Sequence, residues 1–405
     1  MSETTTPMGA APGAEFARAA ALQQQGAFAE AAEIYAAMAA KAATVNIAIN
    51  LGLCLTECGR FAEAEPWLAL AVRHSSGTTE PRWLIGNLHA QMGRTAEAEQ
   101  DYRAGLAINP DDGALQLALA GLLLSVGRYA EGWPLMEARV ALNPSAVPPV
   151  DLGFPPWRGE PLTGRSILVW CEQGLGDQIQ MCRFAQTLKA RGATRVTLAC
   201  RPALADLLAT APGVDEVIPV PQGEPVVVRG HHVWSRYFSL PGHLGITLQT
   251  LPAAPYLTAP ADRRARWGGK AWAGGVGLVW RASPTGFNAR HKTVPDELAR
   301  RLLDMGAVSL HPEDTGVADF ADTAAIVERL DLVISIDTSV AHLAGAMGKP
   351  CWTLIPRVHA DWRWLRERTD TPWYPSMRLY RQAEPGDWSP IIDQIARDLQ
   401  ARRAG

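Results

Sequence analysis

The chain has 405 residues, of which 47% are hydrophobic and 20% charged, with a formal net charge of −3 and a pI near 6.3. That length exceeds one ordinary core, which stops growing near ~250 to 300 residues, so two or three domains are expected. The Lys and Arg residues form no stripe or tail, which argues against a nucleic-acid partner, and no run reaches the ~20 apolar residues that a membrane span needs.

Residues 1–13 read as a disordered start without the basic and apolar pattern of a signal peptide, and a cytoplasmic protein is expected. The six cysteines (Cys54, Cys58, Cys171, Cys182, Cys200 and Cys351) show no CxxC pairing. Cys54 and Cys58 read as small core residues, and no metal or cofactor site is visible.

From residue 14 to 143 the chain repeats. The segments "GAFAEAAEIY", "GRFAEAEPWL", "GRTAEAEQDY" and "GRYAEGWPLM" begin at Gly26, Gly59, Gly93 and Gly127, spaced by 33, 34 and 34 residues. This is the tetratricopeptide period of paired helices. Seven residues before each glycine stands a small residue, Ala19, Gly52, Gly86 or Ala120, where the first helix of a pair presses on its partner. Stacked pairs share one core and leave a concave surface, which implies recognition of a protein or peptide; a dimerisation surface or a spacer is the plainer reading.

Six prolines between Pro144 and Pro161 mark a linker over 144–163. Beyond it, β-branched runs ("SILVW", "RVTLAC", "EVIPV", "GVGLVW", "AVSL", "LVISI") alternate with helical stretches, the texture of parallel α/β sheets. A break near "YLTAPADRRARWGGKAWAGG" divides them into a lobe over 164–258 and a second over 259–405.

In the first lobe "SILVW" runs into Gly174, Leu175, Gly176 and Asp177, then a helix carrying Ile179, Cys182, Phe184 and Leu188. Glycines there permit positive φ and close backbone approach, and the helix start favours negative charge. The loop has neither a full GxGxxG nor a Walker lysine. Asp177 equally suits a helix cap.

In the second lobe, "GLVWRASPTGFNARHKTVP" is a strand followed by a polar loop with Arg281, Ser283, Arg290, His291 and Lys292, able to neutralise a leaving diphosphate without metal. "LDLVISIDTSVAHLAGAMGKP" reads as a buried strand ending at Asp337, Thr338 and Ser339, then a helix from about Val340 to Met347. Its free N–H groups suit a phosphate. Capping by Thr338 or Ser339 explains those residues but not His342 one turn on. Trp362, Trp364, Trp373 and Trp388 read as core packing, with lining the cleft or holding the terminal helix across both lobes as the other possibilities.

"CEQGLGDQIQMCRFAQTL" resembles the opening of the first lobe in bacterial tetratricopeptide-repeat glycosyltransferases related to the heptosyltransferases. "FSLPGHLGITLQTLPAAPYL", "DFADTAAIVERLDLVISIDTSVAHLAGAMGKPCWTLIP" and "DWRWLRERTDTPWYPSMRLYRQAEPGDW" extend the likeness over about residues 150 to 395. The resemblance implies a compact GT-B-like pair of Rossmann-like lobes and a metal-independent, inverting sugar transfer. It assigns the base to Asp177 and the nucleotide-sugar donor to Lys292, Arg290, Ser283, Asp337, Thr338, Ser339 and His342, with Gly174 and Gly176 in the glycine loop. The acceptor it implies is a protein brought by the repeats, flagellin being one, or else a lipopolysaccharide precursor; a non-catalytic scaffold is the alternative of a different class. Both lobes are short for that family, with about 24 residues between Pro295 and Phe320.

Overall fold

The computed structural model describes residues 12–404 except 76, 143, 145, 146, 148, 149, 224, 225, 269–271, 285 and 287. Of the stretch expected to be disordered, residues 1–11 lie outside these, and a helix begins at Pro12. Parts of the proline-rich linker are likewise outside them. The chain divides into two compact units, Met1–Leu122 and Leu123–Gly405.

The first unit is an array of helix pairs: Pro12–Gln24 with Phe28–Lys41, Val45–Glu57 with Phe61–His74, and Glu80–Gln91 with Thr95–Ile108. Each turn glycine of the repeat, Gly26, Gly59 and Gly93, takes a φ between 74° and 80°, which a residue with a Cβ adopts only under strain. At the close approach, a Cβ on Gly86 would stand 2.4 Å from the Tyr102 ring. The 34-residue period is therefore a packing requirement. Tyr35, Leu51, Leu68 and Leu88 form the shared core.

The helix Gly113–Ser125 runs from the first unit into the second, and its repeat partner Tyr129–Met136 belongs wholly to the second. There the Trp133 indole N–H donates to the Ile246 carbonyl at 3.1 Å, and the Trp373 indole donates to the Tyr129 hydroxyl at 2.7 Å.

The rest of the second unit is two parallel sheets. The strands of the first are β1 (Ser166–Trp170), β2 (Arg195–Cys200), β3 (Glu216–Pro219) and β4 (Val233–Arg236), in the order β3-β2-β1-β4. Those of the second are β5 (Val276–Val279), β6 (Ala307–Ser309), β7 (Leu332–Ile336), β8 (Cys351–Ile355) and β9 (Met377–Arg381), in the order β6-β5-β7-β8-β9. β5, β7 and β8 are buried along their whole length, as continuous apolar strands covered on both faces must be. The C-terminal helix Ser389–Ala404 places Ile391, Ile392, Ile395 and Leu399 against Val276, Leu278 and Leu332. This is the expected class, a tetratricopeptide array followed by two Rossmann-like lobes.

Strand order fixes where ligands fit. In an open parallel sheet the crevice lies at the carboxyl edge where the winding reverses. In the first lobe that point is between β1 and β4, and in the second between β5 and β7. The loop of Asp177 follows β1; those of Lys292 and Asp337 follow β5 and β7.

Among the described residues no helix is long and apolar enough to cross a membrane.

Candidate active site at the joint of the two lobes

The loop after β1 leads into the helix Leu175–Met181, with Gly174 as its N-cap. Asp177 stands at the third helical position and accepts the Gly174 N–H on Oδ2 at 2.8 Å, so its capping role is real. The positive φ of this loop falls on Gln173, at 61°, and on neither glycine. Gly176 serves close packing instead. A Cβ there would lie 2.7 Å from the His342 ring and 3.3 Å from the Ser339 Cα, so the two lobes press helix on helix at this point. Gly176→Ala should cost about 1 to 3 kcal/mol, read as a lower urea midpoint at unchanged slope.

The helix expected to carry Ile179, Cys182, Phe184 and Leu188 is two short helices, Leu175–Met181 and Phe184–Ala190, and all four side chains are buried. Between them Arg183 turns inward, donating to the carbonyls of Pro252 and Trp373 and to the Tyr256 hydroxyl.

The second Asp177 oxygen makes the link across the lobes. Oδ1 accepts from Nη2 of Arg363 at 2.7 Å, from a loop between β8 and β9. The same guanidinium donates to Asp361 at 2.6 Å and to Gln180 of the first lobe at 2.8 Å, and it lies over the Trp362 ring at 4.9 Å. Arg363 is thus a buried cation shared by two carboxylates and an amide.

Burial pushes the Asp177 carboxyl above its ordinary range, Asp361 and Glu172 push the same way, and Arg363 and the Gly174 N–H oppose them. A carboxyl raised in this way is a stronger base than an ordinary one, which suits general-base work.

On the facing lobe, the helix Ser339–Ala346 starts directly after Asp337 and Thr338. Thr338 hydrogen-bonds the Ser335 hydroxyl at 3.1 Å and makes no side-chain cap, which leaves the helix start without a side-chain acceptor from its N-cap. Burial raises the Asp337 carboxyl, against the pull of Lys292 and then with Asp361 adding to the rise. His342 is buried, stacked on Trp364 at 5.3 Å, with Nδ1 2.9 Å from the Tyr374 hydroxyl. Burial, then Arg363, Arg183 and Lys292, hold it neutral. Its 4.0 Å separation from Asp337 is therefore a polar contact and no ion pair.

Lys292 ends the short helix Ala289–Lys292, half-buried, with no hydrogen bond or ion pair among the described residues. Its charge reaches both Asp337 and His342. Arg290 and Ser283 are exposed; Arg290 donates to the His291 ring at 2.8 Å, and the Ser283 carbonyl closes a turn with the Gly286 N–H. The geometry therefore gathers Asp177, Asp337, His342 and Lys292 at one joint, while Arg290 and Ser283 are exposed on the segment that carries Lys292. Arg363, Asp361 and Gln180 complete the joint. The only sequence signal for Arg363 was an arginine between two tryptophans; Trp364 and Trp373 are fully buried, as core packing requires.

A tetratricopeptide-repeat family model matches residues 80–112, the third helix pair. Protein FlbA of Caulobacter vibrioides is 28% identical over 341 residues, covering 72% of this chain and 56% of that protein. The chain thus spans just over half the length of this curated relative. Among solved structures, a glycosyl transferase family 9 protein from Veillonella parvula is 14% identical with a TM-score of 0.43, over 59% of this chain and 91% of that one. MamA from Desulfovibrio magneticus is 13% identical with a TM-score of 0.29, over 33% and 73%. Likenesses this loose bear on neither substrate nor mechanism.

Proposed function

We propose that the chain is a glycosyltransferase that moves a sugar from a nucleotide-activated donor to a protein acceptor recruited by the repeats, by an inverting displacement that needs no metal. The observation that carries this reading is the meeting of two switch points. The crevice of each parallel lobe opens on the same joint, with a carboxylate on one side and, on the other, a lysine without a side-chain partner among the described residues beside a helix start.

In this reading the nucleotide diphosphate lies on the second lobe. Lys292 and the N–H groups at Thr338 and Ser339 take its negative charge, and neutral His342 and Asp337 hold the sugar side by hydrogen bonds. Arg290 and Ser283 meet the donor from the exposed loop that carries Lys292. Gly174 and Gly176 bring the first lobe close enough for Asp177 to reach an acceptor hydroxyl, whose oxygen attacks the anomeric carbon as Asp177 takes its proton and the diphosphate departs. A protein acceptor fits the repeat array, since stacked helix pairs present a concave surface to peptide. Flagellin follows from the sequence resemblance to repeat-bearing transferases and from that alone.

Lys292 provides the test. A hydrogen bond to a charged group is worth roughly 1.5 to 3 kcal/mol, so Lys292→Ala should weaken nucleoside-diphosphate binding by about ten- to a hundredfold. Calorimetry on the folded variant measures this, and unchanged affinity removes Lys292 from the donor site.

A further inference from the structure

Resting on the transferase reading, we propose that Arg363 meets the anionic leaving group of the donor, and that Asp177 occupies this guanidinium until the anion arrives and displaces it. Anion binding would then be the event that frees the base.

The two partners of this ion pair are held very differently. Arg363 is fixed by Asp361 and Gln180 on two of its nitrogens and by the faces of Trp362 and Phe238, at 4.9 and 5.8 Å. Its loop is fixed as well. Arg381 takes the carbonyls of Trp364 and Leu365 at 2.7 and 2.6 Å, and the Thr371 hydroxyl takes that of Arg363 at 3.3 Å. Leu365 is held at φ 51° and ψ 169°, a conformation that persists in a non-glycine residue only where its surroundings over-determine it. Asp177, in contrast, has one bond to Arg363 and one to its own helix cap, and its side chain is 21% exposed against 6% for Arg363. If an anion competes for the guanidinium, the aspartate is the group that moves.

Charge balance points the same way. Asp177, Asp337 and Asp361 face Arg363 and Lys292, with Arg183 also acting on neutral His342, so the joint has no surplus positive charge for a dianion while all three carboxylates stay ionised. A dianion entering it is opposed unless a carboxylate takes up a proton.

The groups that face Asp177 are Arg363 and Asp361 from the 361–363 turn, Glu172 from the end of its own strand loop, the Gly174 N–H, and neutral His342 across Gly176. Of these only Arg363 and the Gly174 N–H favour its charged form. Losing Arg363 to the ligand leaves burial unopposed by any cation. Below the raised range of the released carboxyl the bound state then holds more protons than the free state, so affinity rises as pH falls; above that range the released carboxylate stays ionised and free to act as the base.

The test uses the full chain, inorganic pyrophosphate as probe, and calorimetry at pH 6 and pH 8 in buffers of differing ionisation enthalpy. The parent should take up as much as about one proton per pyrophosphate at pH 6, beyond the uptake of Asp177→Asn, which reports the ligand's own protonation. Asp177→Asn should also bind pyrophosphate about three- to tenfold more tightly, because nothing charged then competes for Arg363. Arg363→Lys should bind at least about tenfold more weakly. Should Arg363→Lys fail to fold, the Asp177→Asn comparison decides alone. Identical affinity and identical proton uptake in the parent and Asp177→Asn would overturn the inference while leaving the transferase reading in place. No pyrophosphate binding by the parent at millimolar concentration would sink both.

Discussion

Asp177→Asn is expected to lower sugar transfer at least ~10²-fold while folding stability stays within about 1 kcal/mol of the parent. A hydroxyl is a poor nucleophile near neutral pH, and a positioned base contributes ~10²- to 10⁴-fold. Asn keeps an oxygen to accept the Gly174 N–H, so the cap survives. It cannot accept a proton at neutral pH, and with its one oxygen on the cap it turns an NH2 group, a donor, toward Arg363, so the bond to the guanidinium is lost while Asp361 and Gln180 still hold it. Transfer of labelled sugar, with donor binding measured alongside, distinguishes the outcomes. Full transfer by the Asn variant would make Asp177 a helix cap and lobe linker, and loss of folding would make it structural.

Arg139→Met is expected to have the largest effect on stability, about 3 to 5 kcal/mol. Arg139, in the short helix Arg139–Leu142, donates to both oxygens of Glu172 at 2.8 and 3.1 Å, and the two side chains are 3% and 0% exposed. Glu172 also accepts the Phe238 N–H at 2.8 Å, and Arg139 donates to Ser239 at 3.0 Å. Removing the cation strands a buried carboxylate at the root of the Asp177 loop. Breaking one side of such a pair costs more than removing both, so Arg139→Met combined with Glu172→Gln should recover part of the loss. Denaturant unfolding of the two variants checks it; a loss below about 1 kcal/mol in the single variant would mean that Glu172 finds another cation.

The repeat array was legible because its period, its turn glycines and its small packing residues each answer a steric demand of helix pairing. The two lobes were legible because β-branched runs ended in glycine or polar loops, and strand order then carried those loops to one joint. Gly176 was readable as a site of positive φ or of close approach; only the second holds, and its neighbour, the His342 ring, lies in the other lobe. Arg363 escaped notice for a different reason. Its partner Asp177 stands 186 residues away, and an arginine between Trp362 and Trp364 carries no local pattern that separates an ion-pairing residue from one that snorkels out of an aromatic core. Where the fourth repeat ends was also hidden, since Tyr129 and Trp133 fit the repeat pattern while their indole and hydroxyl partners belong to the α/β lobes.

The central claim is that the joint binds a nucleotide-activated sugar, and the most direct measurement is thermal unfolding of the intact chain with UDP-, ADP-, GDP- and CMP-sugars. A ligand at a hundredfold its dissociation constant adds ~2.7 kcal/mol to the state that binds it. One nucleotide class should therefore raise the melting temperature of the parent by roughly 5 °C or more and raise that of Lys292→Ala much less at the same concentration. No shift with any of the four at millimolar concentration, or an equal shift in Lys292→Ala, would contradict it.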